Sequence, residues 1–140
     1  MSTHYLSSLF EPRSVVLVGA TEDRTKVGGL VMENLLSAGF QGNLFAVNPK
    51  YASVRGVPCF PSVDKLPQPV DLAIIVTPPK TVPGVIEECG QFGIRSAVVI
   101  TAGFSEVGGE GAELERQLLA AARRHRVRVL GPNCLGLMRP

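Results

Sequence analysis

The 140-residue chain is predicted to be an α/β fold, a doubly wound parallel sheet of about five main strands in the order 3-2-1-4-5. Three observations carry that prediction. Five short runs are apolar without alternating, as strands buried on both faces must be. Patterns of helical period stand between most of them. The composition, 45% apolar and 19% charged, is that of an ordinary globular core, and the length suits one domain over residues 1–140.

Residues 14–19 (SVVLVG) are short, β-branched and end in Gly, which reads as the first strand. Residues 27–38 place Val27, Leu30, Val31, Leu35 and Ala38 at helical spacing, and Gly39 supplies the stop. Residues 43–47 (NLFAV) form the second strand, broken by Asn48-Pro49. Residues 50–69 are punctuated by Gly56, Pro58, Pro61 and Pro67, with a short extended piece near 57–60. Residues 71–76 (DLAIIV) form the third strand, ended by Thr77-Pro78-Pro79.

A helix follows from near Thr81 to Phe92, with Val82, Val85, Ile86 and Cys89 on one face and proline tolerated in the first turn. Residues 96–101 (SAVVIT) form the fourth strand, and the four glycines of 103–111 predict a loop. Residues 112–125 put Leu114, Leu118, Leu119 and Ala122 on one stripe of a helix. Residues 127–130 (VRVL) form the fifth strand, closed by Gly131-Pro132-Asn133.

Charge and cysteine usage exclude several classes. Net charge is +2, and the one basic cluster, Arg123, Arg124, His125, Arg126 and Arg128, falls where a helix end favours cations, so nucleic acid is not an expected partner. Cys59, Cys89 and Cys134 form no CxxC pair, which excludes a zinc knuckle or thioredoxin motif and predicts free thiols in a reducing cytoplasm. No apolar run reaches the ~18 residues of a membrane span, and the N-terminus lacks a signal-peptide pattern. No complete catalytic apparatus is legible: neither His4 nor His125 lies at a strand end.

In a doubly wound sheet, ligands bind beyond the C-terminal strand ends, where strand order reverses. That edge collects residues 19–28, 48–50, 77–79, 101–104 and 131–133. Residues 19–29 join strand to helix, with glycines for close approach and a helix N-terminus open to phosphate; the alternative is a plain long loop. They do not match G-x-G-x-x-G, so a tight dinucleotide turn is not encoded. The second strand ends in Asn48-Pro49-Lys50, with no carboxylate for a ribose 2′-hydroxyl. Lys50 suits a phosphorylated ribose, the 3′-phosphate of coenzyme A or the 2′-phosphate of NADP, or is a solvated lysine in a turn. Thr77-Pro78-Pro79 offers an apolar shelf for adenine or a rigid helix start. Asn133 bonds a ligand or caps its own turn.

The segments LFEPRSVVLVGAT, NLLSAGFQGNLFAVNPK, GVPCFPSVDKLPQPVDLAIIVTPP, VVITAGFSEVGGEG and VRVLGPNCLGLMRP, in this order, resemble the N-terminal CoA-binding domain of ADP-forming acyl-CoA synthetases. The module is similar to the first domain of the succinyl-CoA synthetase alpha subunit and of synthetase-like protein lysine acetyltransferases. The resemblance implies a Rossmann-like fold with coenzyme A as ligand. It implies CoA phosphate at Thr25, Lys26, Val27 and Gly28, with Gly19, Ala20 and Thr21 beside them. It places Asn48, Pro49 and Lys50, then Val76, Thr77 and Pro78, then Ile100, Thr101 and Ala102, and finally Asn133 of the GPN turn, at the cofactor. It implies ligand binding rather than turnover for this chain, as the N-terminal part of a longer enzyme whose ligase or acetyltransferase domains lie in cis or on a subunit. An NADP-dependent oxidoreductase or redox sensor is the rival reading.

Overall fold

A computed structural model describes residues 12–101, 104 and 108–131. Seven strands form one sheet: β1 (Ser14–Val18), β2 (Asn43–Val47), β3 (Ser53–Val54), β4 (Val57–Phe60), β5 (Leu72–Ile75), β6 (Ser96–Val99) and β7 (Arg128–Leu130). Among the described residues, three α-helices cover it: α1 (Val27–Ser37), α2 (Val82–Phe92) and α3 (Gly109–His125). The spatial order is β3-β4-β2-β1-β5-β6-β7, and every neighbouring pair is parallel except β3 with β4.

The alternation of side chains along β1 divides the core into two layers. Val15 and Leu17 join Val31 and Met32 of α1 on one face. Val16 and Val18 join Ile86 and Cys89 of α2 and Leu118 and Ala122 of α3 on the other. All five β1 residues are buried, so an uninterrupted apolar run here marks the centre of the sheet.

The structure corrects the expected strand order. The 71–76 run pairs with β1 as β5 and does not lie outside β2. The outer neighbour of β2 is β4, the extended piece near 57–60, through Ala46–Cys59 and Val47–Phe60. With β4 counted third and β5, β6 and β7 as fourth to sixth, the parallel strands run 3-2-1-4-5-6. The route from β2 to β4 is a hairpin arm, β3, and not a helix. That arm turns tightly at Arg55 and Gly56, with φ of 53° and 84°, the positive pair that a two-residue hairpin turn requires.

Three smaller expectations also change. Val27 and Leu30 of α1 are each half exposed, while Gly28, Gly29, Val31 and Met32 are buried, so the helix packs through its glycines. A Cβ on Gly29 would overlap the Asp23 carbonyl oxygen. Leu119 is exposed, and the buried stripe of α3 runs through Gly111, Leu118, Ala121 and Ala122. The helix begins three residues before the expected start, because the Gly108 carbonyl already accepts from Ala112 N at 2.8 Å. The basic cluster does close α3, where Arg124 meets Glu87 of α2 at 3.5 Å. Among the described residues, no helix is long and apolar enough to cross a membrane.

Candidate functional site

The C-terminal ends of β1, β2, β4, β5 and β6 lie at one edge of the sheet and open onto a cavity of about 790 Å³. That lies within the roughly 300–1,000 Å³ of small-molecule sites. From the sequence-predicted residues the cavity gathers Gly19, Thr21, Lys26, Val27, Gly28, Asn48, Pro49, Lys50, Val76, Thr77, Pro78, Ile100 and Thr101. Ala20 is fully buried and does not line it. Thr25 does not line it either. Ala102 and Asn133 fall outside the described residues.

The β1–α1 connection is built by close backbone packing. Gly19 has φ of 101°, and a Cβ there would come within 2.9 Å of Val76 Cγ2. A Cβ on Gly28 would overlap the carbonyl oxygen of Gly19. These two glycines therefore set the first turn of α1 directly against the end of β1. The residue before that turn, Lys26, is extended, and neither a side-chain cap nor an acidic residue occupies the start of the helix. The first amides of a helix have no partners within it, so this end carries uncompensated partial positive charge.

The remainder of the loop is tied down by side chains. Asp23 Oδ1 accepts from Thr25 N at 2.9 Å and from the Thr25 hydroxyl at 2.6 Å, which turns both Thr25 donors inward. Those bonds, and then Lys26, hold the Asp23 carboxyl below its usual range. The Thr21 hydroxyl accepts from Asp23 N at 3.1 Å and lies 3.1 Å from the Tyr51 hydroxyl.

Asn48 joins the two loops. Its Nδ2 donates to the Ala20 carbonyl at 2.9 Å, and its Oδ1 accepts from Lys50 N at 2.8 Å. Both ends of its amide serve the backbone, so Asn48 shapes the edge and fixes the stem of the Lys50 side chain. On the other side, the Thr101 hydroxyl donates to the Thr77 carbonyl at 2.7 Å, linking the ends of β5 and β6. The Thr77 hydroxyl is buried and has no hydrogen-bond partner among the described residues, although it belongs to the cavity wall.

Asp23, within the predicted 19–28 segment, also lines the cavity, as do Val18, Val47, Tyr51, Pro61, Ser62, Val85 and Glu88, which lie outside the sequence-based segments. Pro61 and Ser62 follow β4, so the misplaced strand accounts for both. Val85 and Glu88 stand one turn apart on α2, and their helical spacing from the buried Val82 and Ile86 is the signal that could have found them.

Neither described cysteine is placed for nucleophilic chemistry. Burial pushes the Cys59 thiol up, and its Sγ lies 3.5 Å from the Asn48 carbonyl. Burial, aided by Glu88, pushes Cys89 up to about 12. Alkylation with iodoacetamide at pH 8, mapped by peptide mass, is expected to leave Cys89 unlabelled in the native chain and to label it fully in denaturant. Native labelling at the denatured rate would show that α2 opens. Among the described residues, no group of three or more His, Cys, Asp or Glu side chains is placed to hold a metal ion.

Comparisons with known proteins supply the context. A family model described as a CoA binding domain matches residues 13–140. The chain is 51% identical over 133 residues to an ADP-forming acetate–CoA ligase I of Archaeoglobus fulgidus, covering 95% of this chain and 19% of that protein. It is 41% identical over 137 residues to the alpha subunit of an ADP-forming acetate–CoA ligase I of Pyrococcus furiosus, covering 95% of this chain and 30% of that one. Among solved structures, the apo form of a dinucleotide forming acetyl-coenzyme A synthetase 1 of Ca. Korarchaeum cryptofilum superposes with a TM-score of 0.88 at 44% identity, covering 93% of this chain and 28% of that chain. The chain thus spans less than a third of the length of each of these relatives.

Proposed function

The chain belongs to the CoA binding domain family, and on that premise we propose that it holds coenzyme A along the C-terminal edge of its sheet, as the CoA-binding module of an ADP-forming acyl-CoA synthetase. One observation carries this reading: an uncapped helix N-terminus and Lys50 reach the same cavity from the ends of adjacent strands. The start of α1, with Lys26, Val27 and Gly28, takes the pyrophosphate. Lys50 takes the 3′-phosphate on the ribose. Pro49, Pro78 and Val85 give the adenine apolar surface, and Ile100 and Thr101 border the way out for the pantetheine arm.

The work of such a module is positional: it fixes the thiol relative to chemistry done elsewhere. We assign that chemistry to further ligase domains, in cis or on a partner subunit. The lengths of the relatives support this, as does one relative being a named subunit. Cys59 and Cys89 are free thiols, which suits a reducing, cytoplasmic setting.

Isothermal titration of the chain with CoA, dephospho-CoA, NADP and NAD tests the reading. CoA is expected to bind more tightly than dephospho-CoA, with no heat from either nicotinamide nucleotide. Binding of NADP without CoA would replace the reading with an NADP-dependent one, and silence towards all four would overturn it for this chain.

A further inference from the structure

We propose that Asp23 sets the charge class of ligand admitted at the phosphate end of the cavity, favouring phosphates esterified on both sides and rejecting terminal phosphates. This rests on the reading of the cavity as a CoA site and names a specificity residue within it.

The placement is unusual for an anion site. Asp23 lines the same cavity as Lys26, Val27 and Gly28, at the end where the helix start is otherwise free of acidic residues. The other acidic residue of the lining, Glu88, stands on α2. A carboxylate near bound phosphate costs affinity, so its presence calls for a reason beyond loop shape. Loop shape does account for Oδ1, which accepts both Thr25 bonds. It does not account for the charge, since the side-chain oxygen of an asparagine would accept the same two bonds. Oδ2 has no hydrogen bond among the described residues.

The charge discriminates by ligand class. Each phosphate in the pyrophosphate bridge of CoA carries one negative charge. The bridge therefore carries two, whereas the terminal diphosphate of ADP carries close to three at neutral pH, because the second pKa of an end phosphate is about 6. One unit of charge against another at about 4 Å in water changes an equilibrium roughly fivefold. Asp23 is exposed and Lys26 stands close by, so water and the lysine hold the effect near that size. The ligands held off are adenosine nucleotides that share the adenosine diphosphate half of CoA but end in a free diphosphate, such as ADP.

The test compares the unmodified chain with Asp23→Asn, which removes the charge and keeps the turn. Titrations use CoA and ADP, with the thermal midpoint as a control on folding. The unmodified chain is expected to prefer CoA. Asp23→Asn is expected to narrow that preference about fivefold, chiefly by tightening ADP, with the midpoint unchanged. CoA binding with an unaltered ratio in Asp23→Asn overturns the charge filter alone. Failure of the unmodified chain to bind CoA removes the site reading, and the filter with it.

Discussion

Gly28→Val is expected to lower the thermal midpoint by about 10 °C and to abolish CoA binding. The reason is a backbone contact with no slack. A Cβ at position 28 overlaps the carbonyl oxygen of Gly19, and the next atom it meets is the carbonyl carbon of the same residue. No flexible side chain stands there to move aside, so either α1 lifts from the sheet or the end of β1 shifts. Overpacking of this kind costs about 3 kcal/mol at the upper end of its usual range, and in a domain of this size that moves a midpoint by about 10 °C. Binding suffers separately, because displacing α1 moves its amides away from the cavity. Gly28→Ala meets the same oxygen with its first side-chain atom, so it is expected to keep most of the damage. Thermal unfolding followed by circular dichroism, with CoA titration of the folded fraction, measures both. A midpoint within about 2 °C of the parent for Gly28→Val would mean that the helix and strand are not in the contact described.

Lys50→Ala is expected to weaken CoA about tenfold and to leave dephospho-CoA nearly unchanged. A hydrogen bond between charged partners contributes about 1.5–3 kcal/mol, and the exposure of Lys50 places it at the low end, close to a tenfold effect. The backbone of Lys50 is already fixed by Asn48, so the substitution removes a charge without loosening the turn. The ratio of the two ligands isolates the 3′-phosphate from every other contact. Equal losses for both would assign Lys50 to the pyrophosphate or to general electrostatic attraction.

The centre of this fold is plain in the sequence, and its edge is not. Runs such as SVVLV and LAII are buried at every position and almost wholly apolar because they are covered on both faces, whereas a strand with one wet face would alternate. The β4 strand hides for two reasons. It is short and contains Pro58, and it is reached by a hairpin arm, so the intervening helix that normally announces a parallel crossover is missing. The turn itself is disguised, since Arg55 holds a positive φ that arginine seldom adopts. On α1, counting large apolar residues selects Val27 and Leu30, whereas the side facing the core is made of glycine, Val31 and Met32. A pattern of hydrophobicity cannot register a contact made by having no side chain.

The candidate site divides along the same line. Residues at strand ends are legible because topology alone places them at one edge. Val85 and Glu88 are not, because they reach the cavity from a helix whose orientation only packing determines. The family resemblance places Asn48 and Thr25 at a ligand. In the structure both ends of the Asn48 amide bond the backbone, and both Thr25 donors go to Asp23.

The position of β1 in the sheet bears on how the chain is made. Its partners are β2 on one side and β5 on the other, and Val15 pairs across the second with Leu72. During synthesis at about 5–20 residues per second, Leu72 follows Val15 by roughly 3–11 s. For that interval the central strand of the protein has at best one edge satisfied, even after the β1–α1–β2 unit is out. The seconds after the first third of the chain emerges are therefore when a nascent polypeptide of this kind is most exposed to wrong pairing with its neighbours on a polysome, and when a chaperone has most to protect.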